Sequence, residues 1–149
     1  MSTLQPQRHA VLITDDHRPM RTFLAKWLSR EFSSIDIHET GTAEEAIDLI
    51  NSTPIDLVLM DFFLPGINGI DATAWIKTHF PETTVVILTM QHGEEYEIQA
   101  QAAGADAFIP KQTMYIKLLS LISALIHPPS EAESLHTHAA ESNHAGASP

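Results

Sequence analysis

Cysteine is absent from all 149 residues, which excludes a disulfide framework and a thiolate metal site. A chain that needs no disulfide suits the reducing cytoplasm. Basic residues are scarce: 8 Lys and Arg stand against 19 Asp and Glu, a formal net charge of −11. Most of such a surface repels a phosphate backbone, so direct DNA binding is not expected. No apolar run approaches the roughly 20 residues that a membrane-spanning helix needs. The opening residues MSTLQPQRHA lack the apolar stretch of a signal peptide. What is present is ordinary for a globular chain: 44 % hydrophobic and 18 % charged residues, in a length that holds one domain with a sizeable core. The acid surplus raises a question, because carboxylates gathered at one place can hold a hard cation.

Apolar runs occur at Ala10–Thr14, Ile55–Met60, Thr84–Thr89 and Ala107–Ile109. The second and third are continuous and rich in Val, Ile and Leu, as parallel strands buried on both faces are. Ser34–His38 alternates instead, which suits an edge strand. Helical spacing lies between the runs. Met20, Phe23, Leu24, Trp27, Leu28 and Phe32 form one face, with Pro19 in the first turn. Thr42-Ala43-Glu44-Glu45 reads as a capping box opening a second helix with Ala43, Ala46, Ile47 and Ile50 inward. Further helices are expected over Gly69–Thr78, over Glu94–Ala103 with Gly104 just past its end, and over Met114–Ile126 before Pro128-Pro129. Strand then helix, five times, calls for an open parallel α/β sheet with right-handed crossovers. The expected organisation is an N-terminal extension over 1–9, a domain over 10–127, and a disordered tail or linker over 128–149 that is rich in Ser, Ala, Glu and His.

Ligands of an open α/β sheet bind beyond the carboxyl ends of its strands. There the sequence puts Asp15-Asp16 after the first strand, Asp61 after the third, Thr89 after the fourth and Lys111 after the fifth. Singly these are a turn, a loop cap, a strand residue and a solvated cation. Together they are three acids, a hydroxyl and an amine at one rim. Close carboxylates raise one another's pKa, and a divalent cation relieves the conflict. Mg²⁺ suits the site because it takes oxygen ligands and keeps waters that a phosphate can replace. Asp61 could then act as a nucleophile toward phosphorus, with Thr89 and Lys111 on the phosphoryl oxygens.

On the segments VLITDDHRPMR, DLVLMDFFLPGINGID and VVILTMQHGEEYEIQAQAAGADAFIPK, the chain resembles the receiver domains of two-component response regulators. DDH, LTM and EEY are most similar to the subfamily that usually carries a helix-turn-helix output domain. The resemblance implies a flavodoxin-like (βα)5 fold, a doubly wound parallel five-stranded sheet of order 2-1-3-4-5. It implies Asp61 as phosphoacceptor, Asp16 as direct Mg²⁺ ligand, Asp15 as an acid acting through water, and the Phe63 carbonyl as a further metal ligand. Thr89 and Phe108 match the switch pair and Lys111 the lysine of the fifth strand. The implied donor is a histidine kinase or a histidine phosphotransfer protein. The chain would catalyse only its own phosphorylation and dephosphorylation. Phe63 departs from the polar residue of many relatives and is expected to slow hydrolysis. Gln112 stands where many relatives have proline.

After Lys111 one helix and the tail remain, so output passes through a downstream protein target or through an output domain beyond the tail. The last helix carries Leu and Ile over more than one stripe, which suits partner binding or homodimerisation. His136, His138 and His144 read as tail composition rather than a metal site, and His17 as a loop residue. Two other classes compete. A haloacid-dehalogenase-like phosphatase needs a second Asp two residues after the nucleophile, where this chain has Phe63. A phosphorylation-independent interaction module with the same fold is opposed by the intact set Asp15, Asp16, Asp61, Thr89 and Lys111.

Overall fold

The computed structural model describes residues 7–128 apart from residue 92. Five strands alternate with helices: β1 (His9–Thr14), α1 (Arg18–Glu31), β2 (Ile35–Thr40), α2 (Ala43–Ser52), β3 (Leu57–Asp61), α3 (Gly69–His79), β4 (Thr84–Thr89), α4 (Glu94–Ala102), β5 (Ala107–Pro110) and α5 (Met114–Ile126). A single 3₁₀ turn, Lys111–Thr113, joins β5 to α5. The strands pair in parallel in the order β2-β1-β3-β4-β5. This is the doubly wound flavodoxin-like sheet expected from the sequence. By packing, the chain divides into Met1–Tyr115, with the sheet and α1 to α4, and Ile116–Pro149, with most of α5.

Strand alternation sorts the apolar side chains into two layers. Leu12, Val58, Met60, Val85 and Ile87 share one core with Ala43, Ala46 and Ile50 of α2, Ala72 and Ile76 of α3, and Ala100 of α4. Val11, Ile13, Leu57, Leu59 and Val86 alternate with them and are equally buried. Burial on both faces is why β3 and β4 read as unbroken apolar runs. The alternating β2 lies at an edge of the sheet.

Helix ends follow local chemistry. Thr42 Oγ1 accepts from Glu45 N–H at 3.1 Å, the capping bond expected there. Asn68 Oδ1 accepts from Asp71 N–H at 2.8 Å and starts α3. Gly104 follows Ala103, the C-cap of α4, with φ +91°, a backbone state that favours glycine.

Three details go beyond the apolar pattern. The first strand starts at His9, and Arg8 already grips β2 through Asp36 Oδ1 at 2.8 Å and the Ile35 carbonyl at 3.0 Å. The strand thus begins one residue ahead of the apolar run, because parallel pairing uses backbone groups that an apolar pattern does not reveal. Phe23 does not join the core: it is 57 % exposed, and its ring meets Tyr115 edge-on at 6.2 Å. His17 is the N-cap of α1, its Nδ1 accepting from Met20 N–H at 3.3 Å. The tail from 129 onward, with His136, His138 and His144, lies outside the described residues.

Candidate functional site

Sheet register alone brings the site together. Thr14 pairs with Met60, so the next residue, Asp15, comes level with Asp61. Asp61 pairs with Leu88, which puts Thr89 one step beyond it. Thr89 pairs with Pro110, and Lys111 follows. Asp15, Asp61, Thr89 and Lys111 are all buried, whereas Asp16 faces solvent.

The geometry is ionic. Lys111 Nζ donates to Asp15 Oδ2 at 2.8 Å and reaches Asp61 Oδ2 at 3.4 Å. The remaining carboxylate oxygens are held by backbone: Asp15 Oδ1 accepts from His17 N–H at 2.8 Å and Asp61 Oδ1 from Phe63 N–H at 3.2 Å. One carboxylate oxygen each from Asp15, Asp16 and Asp61 lie within 4.8 Å of one another. Burial pushes the Asp61 carboxyl up to about 6; Lys111 opposes the rise and Asp15 adds to it. Burial works against the charge of Lys111, but its bonds to Asp15 and Asp61 win and leave its pKa above the ordinary lysine value.

Three acids with one buried ammonium leave the pocket short of positive charge. Hard oxygen donors in an arrangement that penalises their own ionisation fit a small divalent cation. Asp15, Asp16 and Asp61 are the side chains that could hold it.

Sequence reasoning missed four contributors. Arg21 Nη1 donates to the Asp15 carbonyl at 2.5 Å while its Nε meets Glu39 Oε1 at 3.3 Å. Glu44 Oε1 accepts from Ile67 N–H at 3.1 Å and ties α2 to the loop after Asp61. Gln112 Nε2 donates to the Met90 carbonyl at 3.2 Å, linking the loops after β4 and β5. Tyr96 of α4 packs on both Phe62 and Phe63. Gly69 is also essential: a Cβ there would stand 1.9 Å from the Asp61 carbonyl oxygen, so only glycine lets α3 start against the end of β3. The signal for each is proximity in the fold, which a linear pattern does not carry.

Thr89 and Phe108 occupy different surroundings. Thr89 Oγ1 accepts from Gln91 N–H at 3.0 Å, within its own loop. Phe108 pairs with Ile87 in the sheet and lines a cavity of about 210 Å³ with Glu97, Ala100, Gln101 and Ala105.

Fold and rim together define a class, the CheY-like receivers. The family model described as "Response regulator receiver domain" matches residues 11–123, and the chain belongs to that family, the receiving module of two-component signalling. Among curated relatives, the transcriptional regulatory protein YhcZ of Bacillus subtilis is 35 % identical over 103 residues, 69 % of this chain and 48 % of that protein. The transcriptional activator protein ExaE of Pseudomonas putida is 34 % identical over 68 % of this chain and 47 % of its own length. The chain thus spans about half the length of these relatives. Among solved structures, a LuxR-family two-component response regulator from Aurantimonas sp. SI85-9A1 is 29 % identical with a TM-score of 0.73, covering 80 % of this chain and 85 % of that one. A CheY-like receiver from Methanospirillum hungatei JF-1 is 25 % identical with a TM-score of 0.72 over 80 % and 94 %.

Proposed function

We propose that the chain is a phosphorylation-operated receiver in which Asp61 accepts a phosphoryl group from a histidine kinase or a histidine phosphotransfer protein. The observation that carries this reading is Lys111 Nζ buried between Asp15 at 2.8 Å and Asp61 at 3.4 Å. A carboxylate destabilised by burial is a poised nucleophile, and a fixed ammonium is ready for the charge that arrives. An Asp61 oxygen attacks phosphorus in line, a new O–P bond forms, the N–P bond of phosphohistidine breaks, and the imidazole leaves with a proton from solvent. Asp16, Asp61 and the Phe63 carbonyl, with Asp15 acting through water, would hold Mg²⁺, which would supply neutralisation of phosphoryl charge.

The transferred group brings nearly two negative charges and three acceptor oxygens beside Lys111. Thr89 then gives up its loop bond for a phosphoryl oxygen, and Phe108 has an adjoining cavity into which to turn. The altered face carries the signal to a downstream protein in the cytoplasm. No helix among the described residues is long and apolar enough to cross a membrane. Turnover is confined to the chain's own phosphorylation and dephosphorylation. Incubation with acetyl phosphate, with and without Mg²⁺, followed by intact-mass spectrometry tests the chemistry. One Mg²⁺-dependent phosphoryl adduct is expected on the wild type and none on Asp61→Asn. An adduct on Asp61→Asn, or none on wild type with either acetyl phosphate or beryllofluoride, overturns the reading and favours a phosphorylation-independent module. Homodimerisation through α5 accompanies this reading, motivated by the apolar surplus of its sequence; sedimentation that stays monomeric with and without phosphorylation removes it.

A further inference from the structure

Asp61 is followed by two aromatic residues, and a third ring reaches them from another element. Phe62 is buried, whereas Phe63 is 48 % exposed. Their ring centroids lie 4.7 Å apart. Tyr96, in the first turn of α4, meets Phe62 edge-on at 5.2 Å and Phe63 edge-on at 5.6 Å. Tyr96 N–H donates to the Gly93 carbonyl at 3.2 Å, which anchors its backbone at the start of the helix. Phe63 in turn donates its N–H to Asp61 Oδ1 at 3.2 Å. A continuous chain of contacts therefore runs from the acceptor carboxylate through Phe63 to α4.

An exposed phenylalanine with no partner on its outer side would sample several rotamers and screen its surroundings poorly. Tyr96 removes that freedom by supplying an edge-to-face neighbour, the geometry that aromatic pairs favour. We propose that Tyr96 is a positioning residue for the phosphorylated site: it holds the Phe63 ring as an apolar screen beside Asp61, and so sets the lifetime of the aspartyl phosphate. The inference rests on Asp61 being the phosphoacceptor. The reaction slowed is hydrolysis: water attacks phosphorus, the O–P bond to the Asp61 carboxyl breaks, the carboxylate is restored, and inorganic phosphate leaves as a proton goes to solvent. The screen reduces the chance that a water stands in line for that attack. The same contact makes the first turn of α4 respond to what occupies Asp61.

The test uses the full chain loaded with acetyl phosphate and Mg²⁺, with loss of the adduct followed by intact-mass spectrometry. Tyr96→Ala is expected to lose the phosphoryl group about fivefold faster, the rate equivalent of one aromatic pair. Tyr96→Phe, which keeps the ring, is expected to retain the wild-type lifetime. Phe63→Ala should lose it at least as fast as Tyr96→Ala, and adding Tyr96→Ala to Phe63→Ala should change nothing further, because the two act as one unit. Phe63 is half-exposed, so its truncation disturbs the core little and this background keeps the measurement informative if Tyr96→Ala folds poorly. Equal lifetimes in wild type and Tyr96→Ala, a Tyr96→Phe as fast as Tyr96→Ala, or full additivity in the double variant overturns the proposal. Absence of any adduct on wild type is a different failure and strikes the phosphoacceptor reading itself.

Discussion

The pocket around Asp61 has two walls of opposite character. On one side Lys111, Asp15 and Arg21 form an ionic wall, bound by charge-assisted hydrogen bonds of 2.5 to 2.8 Å. On the other, Phe62, Phe63 and Tyr96 form an aromatic wall with centroids 4.7 to 5.6 Å apart. The ionic wall is directional and intolerant, because removing one member strands the others in a place where charge is costly. The aromatic wall is forgiving, because a ring can be exchanged for one of similar size at little cost. The difference suggests a division of labour, with chemistry on the ionic side and its duration set on the aromatic side.

The ionic wall breaks hardest at Lys111. Lys111→Met leaves the Asp15 and Asp61 carboxylates without their buried counter-charge, and the expected loss of unfolding free energy in metal-free buffer is about 3–5 kcal/mol at pH 8. Asp61→Asn should move stability the other way. The Asp61 pKa is raised from 3.8 to about 6 in the folded state. The native protein therefore holds a proton that the unfolded chain has already released, and stability falls as pH rises through that window. Replacing the carboxyl with an amide removes this slope and stabilises the protein at pH 8 by on the order of 2 kcal/mol. Below pH 4 the gain should vanish, since both states of the wild type are then protonated. For Lys111 the sign is that of a raised lysine: its contribution is present below its unfolded pKa and is lost only above it. The loss in Lys111→Met should shrink toward pH 5, where Asp61 takes up a proton. Urea titrations of both variants across pH 4 to 8, without added metal, check both slopes. A destabilised Asp61→Asn at pH 8 would mean that the attraction to Lys111 outweighs the burial of Asp61.

How much of this was legible follows from the same contrast. Apart from Arg21, which lies within α1, the ionic wall could be read because its members end strands, and strand ends are marked by the close of an apolar run. Asp15, Asp61, Thr89 and Lys111 needed only the parallel register to become neighbours. The aromatic wall was half legible: Phe63 stood out beside Asp61, but Tyr96 sits in a helix with three glutamates in its first turn. Nothing in its spacing says that its ring crosses to another loop. His17, the loop residue before α1, also serves as its cap through Nδ1, a role that imidazole seldom takes. Helical periodicity places Phe23 on the apolar stripe of α1 but does not say how much of that stripe is covered.

Arg21 shows how the ionic wall is itself supported, and it carries a smaller prediction. Its guanidinium spans two partners, the Asp15 carbonyl at 2.5 Å and Glu39 Oε1 at 3.3 Å. It thereby pins the loop after β1, the loop that carries both Asp15 and Asp16, to the end of β2. A charged hydrogen bond to a carbonyl is worth about 1.5–3 kcal/mol, so Arg21→Ala should cost about 2 kcal/mol in unfolding free energy. Arg21→Lys should recover only part of this, since one ammonium cannot match a planar fork reaching in two directions. The Glu39 half of the arrangement is partly exposed, and Glu39→Gln should cost less than about 1 kcal/mol. Chemical denaturation of the three variants at one pH ranks them. A Glu39→Gln as damaging as Arg21→Ala would move the anchor from the Asp15 loop to the edge strand, and the ionic wall would then extend further from Asp61 than its geometry indicates.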